Sequence, residues 1–172
     1  MIRERQKENL SNKLRETIKG KTEKKNLVVL CIGTDRVIGD AFGPLVGEKL
    51  TKLLGKREDI TILGSLQEPL HYENLQERLQ IVQDKASYLI AVDAAIAKEE
   101  LIGKIILEEK GLMLGKGIRQ TRREIGDISI KGIVSKDVKI PEINFMLLQQ
   151  VPLGFVLNMA EKTAEEIYKG IH

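Results

Sequence analysis

Apolar residues recur along this chain with two periods, and the alternation between them predicts most of its elements. The continuous apolar runs Leu27–Ile32 and Tyr88–Val92 have the length and β-branched content of strands buried on both faces. Longer stretches place apolar residues three and four apart. Phe42, Leu45, Val46, Leu50, Leu53 and Leu54 predict a helix closed by Gly55. Leu70, Leu75, Leu79 and Val82 predict a second helix within Pro69–Asp84, and Asp59–Leu63 predicts a short strand before it. Phe155, Val156, Met159, Ala160, Ala164, Ile167 and Tyr168 mark a final helix within Val151–Ile171, after a short one near Ile143–Gln150. At the start, Leu10, Leu14 and Ile18 give a helix a narrow apolar stripe that ends at Gly20.

Between Ile102 and Val134 the period shortens. Ile105–Leu107 and Ile128–Val134 read as strands, separated by glycines and by a polar stretch with Arg119, Arg122 and Arg123 that is expected to form a long exposed loop. Strands that alternate with helices predict a mostly parallel sheet with helices on both faces. Right-handed crossovers then put every strand-to-helix loop on one sheet edge. The loop after the first strand and the end of Tyr88–Val92 should therefore meet, and both carry aspartates: Asp35 and Asp40 in the first, Asp93 at the second.

The chain has 172 residues, 42% of them hydrophobic, which suits a single α/β domain over residues 27–172, preceded by the amphipathic helix and charged linker of residues 1–26. Aromatics are only 3%, so aliphatic side chains must carry the packing and no stacking platform for single-stranded nucleic acid is available. Twenty-eight basic and 25 acidic residues are interspersed, and the net charge of +3 gives no strong field for nucleic acid. The single cysteine, Cys31, excludes an internal disulfide and a cysteine-based zinc site and agrees with a reducing cytoplasm. The first residues are charged without an apolar core, so no signal peptide is read, and no apolar run approaches a membrane span. The expectation is a cytoplasmic protein with no membrane partner, and the N-terminal stripe could serve an oligomer as readily as the chain's own body.

Gly33–Gly43 could cradle an anion, but its spacing misses G-x-G-x-x-G, and G-x-x-x-x-G-K-[ST] occurs nowhere, so no nucleotide cofactor is expected. Asp40 has two readings, a helix N-cap or a functional carboxylate, with Pro44 favouring Gly43 as the cap instead. Asp93 follows five apolar strand residues, where a carboxylate is poorly hydrated unless paired, so a structural hydrogen bond stands against a functional role. Asp35 and Arg36 read as a solvated turn with a local ion pair. His71 opens a helix and reads as a polar cap that could also reach the active edge. Cys31, inside a strand, reads as a small apolar residue rather than a nucleophile.

The run Gly33-Thr-Asp-Arg-Val-Ile-Gly-Asp40-Ala-Phe-Gly-Pro44, together with Leu89–Ala94 and Gly126–Ile130, resembles the YyaC family of sporulation proteins from endospore-forming bacteria. More distantly the chain is similar to the germination protease of spores and to the hydrogenase maturation proteases, through Asp-Ala-x-Gly-Pro followed by apolar strand residues and Asp-Ala. The resemblance implies a three-layer α/β/α sandwich, a sporulation-associated peptidase and catalytic aspartates at Asp40 and Asp93. The hydrogenase maturation enzymes use acidic residues at these places, with a later histidine, to recognise nickel in their precursor. This chain has no histidine between His71 and His172, so no metal site is expected.

The resulting expectation is an aspartic-type peptidase acting on a protein or peptide substrate, a spore protein being one candidate, in which two close carboxylates share a proton. Asp35, His71, Asp127 and Ser129 are candidates for orienting water or substrate, and the Arg119–Arg123 loop for gating or recognition. The alternatives are a non-catalytic protease-like binding or regulatory protein, and a metal-linked maturation peptidase using Asp40, Asp93 and His71.

Overall fold

The computed structural model of the chain describes residues 9–23, 26–83, 87–114 and 123–172. Its elements are α1 (Leu10–Ile18), β1 (Asn26–Cys31), α2 (Phe42–Leu54), β2 (Ile60–Leu63), α3 (Leu75–Gln83), β3 (Ser87–Ala97), β4 (Ile105–Glu108), β5 (Leu112–Leu114), β6 (Arg123–Ile125), β7 (Ile128–Lys136), α4 (Pro141–Gln149) and α5 (Leu153–Gly170). The central sheet has the order β2-β1-β3-β7-β4. Its first four strands are mutually parallel and β4 runs antiparallel along β7. The expected α/β architecture with a mostly parallel sheet is therefore present. Among the described residues no single helix is long and apolar enough to cross a membrane.

Alternation along the strands divides the core in two. Val29, Cys31, Ile90, Val92, Ile128 and Ile130 face Phe42, Val46 and Leu50 of α2 and Val156, Ala160, Ala164 and Ile167 of α5. Val28, Leu30, Ile32 and Ala91 face Leu75, Leu79 and Val82 of α3, and Leu112 and Ile125 of the β5–β6 hairpin. Each central strand is thus apolar on both faces, as its uninterrupted sequence requires. The N-terminal stripe is spent inside the molecule. Leu14 is fully buried, and α1 packs on α5 and β4.

Three elements differ from their sequence patterns. Helix α3 starts only at Leu75, because Leu70 is drawn into a parallel bridge with Ile32 and holds Pro69–Asn74 off the helix. The predicted long loop between β4 and β7 contains the hairpin β5–β6; Arg123 opens β6, and Arg119 and Arg122 lie outside the described residues. Strand β3 runs on through Asp93 to Ala97 instead of stopping at Val92, because β7 continues to pair with it there.

One contact sets the height of α2 above the sheet. The Phe42 ring is completely buried over Gly132 of β7, where an added Cβ would stand 2.6 Å from the ring. At the next residue, Gly43, a Cβ would come 1.9 Å from the Ile32 carbonyl oxygen at the end of β1. The chain leaving β1 is consequently drawn across the end of β3, since Gly132 is the cross-strand partner of Ala94.

Because the notch fits only hydrogen, Gly132→Ala should destabilise the fold by about 1–3 kcal/mol through overpacking. Combining it with Phe42→Leu should cost less than the sum of the two single changes by at least ~0.5 kcal/mol. Urea unfolding of the four proteins measures both, and strict additivity would contradict the contact.

Candidate active site

The strand order reverses direction between β1 and β3: β1 leads through α2 to β2 on one side, and β2 leads through α3 back to β3 on the other. Ligand crevices in open α/β sheets form outside the carboxyl ends of the strands at such a reversal. Asp40 and Asp93 are the two carboxylates here. Asp40 lies in a short 3-10 turn, Gly39–Ala41, that touches both β3 and α4. The loop carrying it is closed by the Thr34 N–H donating to the Asp40 main-chain oxygen at 3.2 Å. Ala41, without a side-chain bond, occupies the N-cap of α2, so the Asp40 carboxylate is not used as a cap. Asp93 lies one residue past the last pairing of β1 with β3, Cys31 with Val92, where the end of β1 uncovers it.

The two groups are electrostatically coupled. Burial, reinforced by the charge of Asp40, pushes the Asp93 carboxyl up to about 8. The Ala94 N–H and the Lys131 ammonium act in the opposite sense and are outweighed. Asp40 is itself raised above its ordinary value by burial. Near neutral pH this arrangement holds one proton on Asp93 and leaves Asp40 as the charged member, the usual outcome when like charges share a poorly hydrated site.

Sequence reasoning missed the basic half of the cleft. Lys131 is the cross-strand partner of Asp93 on β7, and both line a cavity of about 230 Å³ together with Ala94, Ala95, Lys110 and Gly111. The Lys131 ammonium donates to the Glu108 carboxylate on β4 at 2.7 Å, and Lys110 stands 3.8 Å from the same carboxylate. Glu108 thereby takes up part of the charge that Lys131 would otherwise direct at Asp93. The legible signal was a lysine at the centre of the apolar run Ile128–Val134, which period two puts on the face of Asp93 once the register is known.

The other candidates distribute differently. Asp35 and Arg36 are exposed in the loop, and no ion pair joins them among the described residues. His71 lies at the same sheet edge but on the β2 side of β1, after Leu70, whose carbonyl accepts from the Gly33 N–H. Its own N–H donates to the Asn74 side chain at 3.0 Å. Asp127 is at the opposite end of the sheet. Its carboxylate accepts from the Leu89 N–H at 2.7 Å, and its N–H donates to the Leu89 carbonyl at 2.8 Å, so it holds the register of β7 on β3. Ser129 is wholly buried beneath the cleft, paired with Ala91 and Glu108, and its hydroxyl has no partner among the described residues. The expectation that Asp127 and Ser129 orient substrate thus meets a physical obstacle in each case, distance along the strand for one and burial for the other. Burial also drives the Cys31 thiol far above its ordinary range, which removes it as a nucleophile.

The donor set does not suit a transition metal. Among the described residues no three His, Cys, Asp or Glu side chains gather to hold one. His172 is at the far edge, against Tyr168 and Arg57, and burial favours the protonated form of Asp93.

Comparison with known proteins agrees with this architecture. Residues 2–166 match the family described as "Protein of unknown function (DUF1256)". The chain is 35% identical over 143 residues to the "Uncharacterized protein YyaC" of Bacillus subtilis (strain 168), covering 82% of this chain and 67% of that protein. Among solved structures it is similar to the [NiFe] hydrogenase maturation protease HycI from Thermococcus kodakarensis KOD1, with a TM-score of 0.60 and 22% identity, covering 92% of this chain and 99% of that one. The structural likeness is one of fold.

The raised Asp93 leaves a mark on stability. In the unfolded chain the group titrates at roughly 3.9, so from there up to about 8 the folded protein retains a proton that the unfolded chain has released. Its contribution is fully present below about pH 4, is lost as pH rises to about 8 and is level above that. Calorimetric melting of wild type and Asp93→Asn across this window should show the variant gaining steadily on the wild type as pH rises. A constant difference between them would contradict the shifted carboxyl.

Proposed function

The chain belongs to the DUF1256 family, and we propose that it is a peptidase in which Asp40 and Asp93 act as a general base and general acid on a protein substrate. The observation that carries this reading is the pair of carboxyls at the sheet's reversal point, one driven to keep its proton by burial and by the other's charge. Unequal proton affinities are what an acid–base pair needs. The protease fold shared with HycI supports the reading as an analogy of architecture.

In this mechanism the Asp40 carboxylate accepts a proton from an attacking water while the Asp93 carboxylic acid donates its proton to the scissile carbonyl oxygen. The carbon–oxygen bond forms and the amide becomes a tetrahedral diol. As the diol collapses, the proton held by Asp40 passes to the leaving nitrogen, the carbon–nitrogen bond breaks, and a diol hydroxyl returns its proton to Asp93. Water and amide become acid and amine, and the dyad ends in its starting state. Lys131, restrained by Glu108, is the smallest of the influences on Asp93 and opposes the rise in its proton affinity only weakly. A role in a sporulating cell, with a spore protein as substrate and a cytoplasmic setting, belongs to the same proposal and rests on the resemblance of the Gly33–Pro44 run to sporulation proteins.

Purified protein incubated with an extract of spore proteins should generate discrete fragments. Asp40→Asn and Asp93→Asn should each slow that cleavage by about 10²–10⁴-fold, the usual worth of a positioned acid or base. Asp127→Asn, altered at the far end of the sheet, should cleave at close to the wild-type rate. The rate should fall on the alkaline side as pH passes about 8, where Asp93 loses its proton, and on the acid side as Asp40 gains one. Equal cleavage by wild type and both dyad variants would dispose of the mechanism.

A further inference from the structure

We infer that the cavity beside Asp93 is a subsite for a carboxylate carried by the bound polypeptide, with the Lys131 and Lys110 ammonium groups as its recognition element. Its use in choosing the bond to be cut rests on the peptidase reading, in which neither lysine has a catalytic part.

Strand periodicity puts Asp93 and Lys131 on one side of the sheet. Val92 and Ile130 face α2 and α5, so the residues that follow them face the β5–β6 hairpin, where Gly111, Leu112 and Met113 complete the cavity. At about 230 Å³ it is smaller than the roughly 300–1,000 Å³ of sites that enclose a whole small molecule. It suits one side chain or one chain end of a larger ligand.

The ionisable groups in its lining are two lysines and one aspartic acid. The lining therefore carries net positive charge even with Asp93 ionised, and more so near neutral pH, because Asp93 titrates at about 8. The nearby carboxylates Glu108 and Glu124 lie outside the lining. Glu124 is engaged by the Gly111 N–H at 2.7 Å, and Glu108 accepts from Lys131 at 2.7 Å and stands 3.8 Å from Lys110. An ammonium has three donors. Among the described residues Lys131 makes one hydrogen bond and Lys110 none, which leaves donors on both for a ligand.

The charge and the backbone identify which anion fits. A single carboxylate balances this lining, and Leu112 and Met113 give its methylenes an apolar wall. A phosphate, with roughly two charges, would exceed it. Phosphate sites also use backbone N–H groups, and here those of Gly111 and Ala94 are taken by Glu124 and Asp93.

Binding to full-length Asp40→Asn protein tests the subsite without cleavage, since Asp40 does not line the cavity. The probes are acetylated decapeptides of Ala, Gly, Ser and Thr in three forms: a central Glu with an amidated end, a central Gln with an amidated end, and a central Gln with a free carboxyl end. One carboxylate form should bind about tenfold or more tighter than the Gln amide, the worth of a hydrogen bond to a charged group, and should shift the Gly111 and Lys131 amide resonances. Which form does so tells a side-chain carboxylate from a chain end. Lys131→Met should reduce that peptide to the level of the Gln amide. Glu108→Gln, which releases both ammoniums, should tighten it about threefold or more and leave the Gln amide unchanged, a direction that loss of a merely structural ion pair would not produce.

Equal binding of the three forms, or no gain in Glu108→Gln, overturns the inference even if the wild type cleaves all of them. Displacement of the peptide by sodium phosphate at a lower concentration than by sodium acetate overturns it in favour of a phosphoryl ligand. Carboxylate preference in binding with no cleavage by the wild type supports the subsite and removes the peptidase reading instead.

Discussion

The close seating of the Phe42 ring on Gly132 is the contact from which the rest of the site follows. It costs the sheet a side chain on β7 and commits a large ring at the very start of α2. In return the loop leaving β1 cannot rise away from the sheet and must cross β3 at the level of Ala94. The carboxylate two residues before the ring thereby lies on a turn that touches β3, where its charge acts on Asp93. Aliphatic packing supplies the force that holds this turn on the sheet.

Electrostatics then follow from burial and not from pairing. Asp93 has a lysine as its cross-strand partner, and in water that neighbour would lower its proton affinity. Here desolvation and the like charge of Asp40 prevail, partly because Glu108 draws the Lys131 ammonium toward β4. Asp93, Lys131 and Glu108 run across three strands on one face, with Lys110 just past the end of β4, so Asp93 shares its cavity with two lysines.

The strands Leu27–Ile32 and Tyr88–Val92 and the helices around Leu50 and Ala160 were legible because each is buried on a periodic face, which writes itself into adjacent residues. Asp40 and Asp93 were legible for a related reason: a carboxylate set against a long apolar run, or in a glycine-punctuated loop, departs from the local pattern. Lys131 and Glu108 escaped notice because each looks like an ordinary solvated charge until the register places them beside Asp93. The position of Asp127 was illegible for the converse reason. Its nearness to β7 in sequence says nothing of which end of the strand it guards.

The chain's periodicity by itself determined the order of strands and helices, the parallel sheet and the two acidic positions, since these depend on solvation along short stretches. Tertiary structure alone decided which charges share a cleft, which aspartate keeps its proton and where β3 outruns β1. Those properties depend on register and on burial by distant segments, and a one-residue shift in pairing would reassign every one of them while leaving the local hydrophobic pattern unchanged.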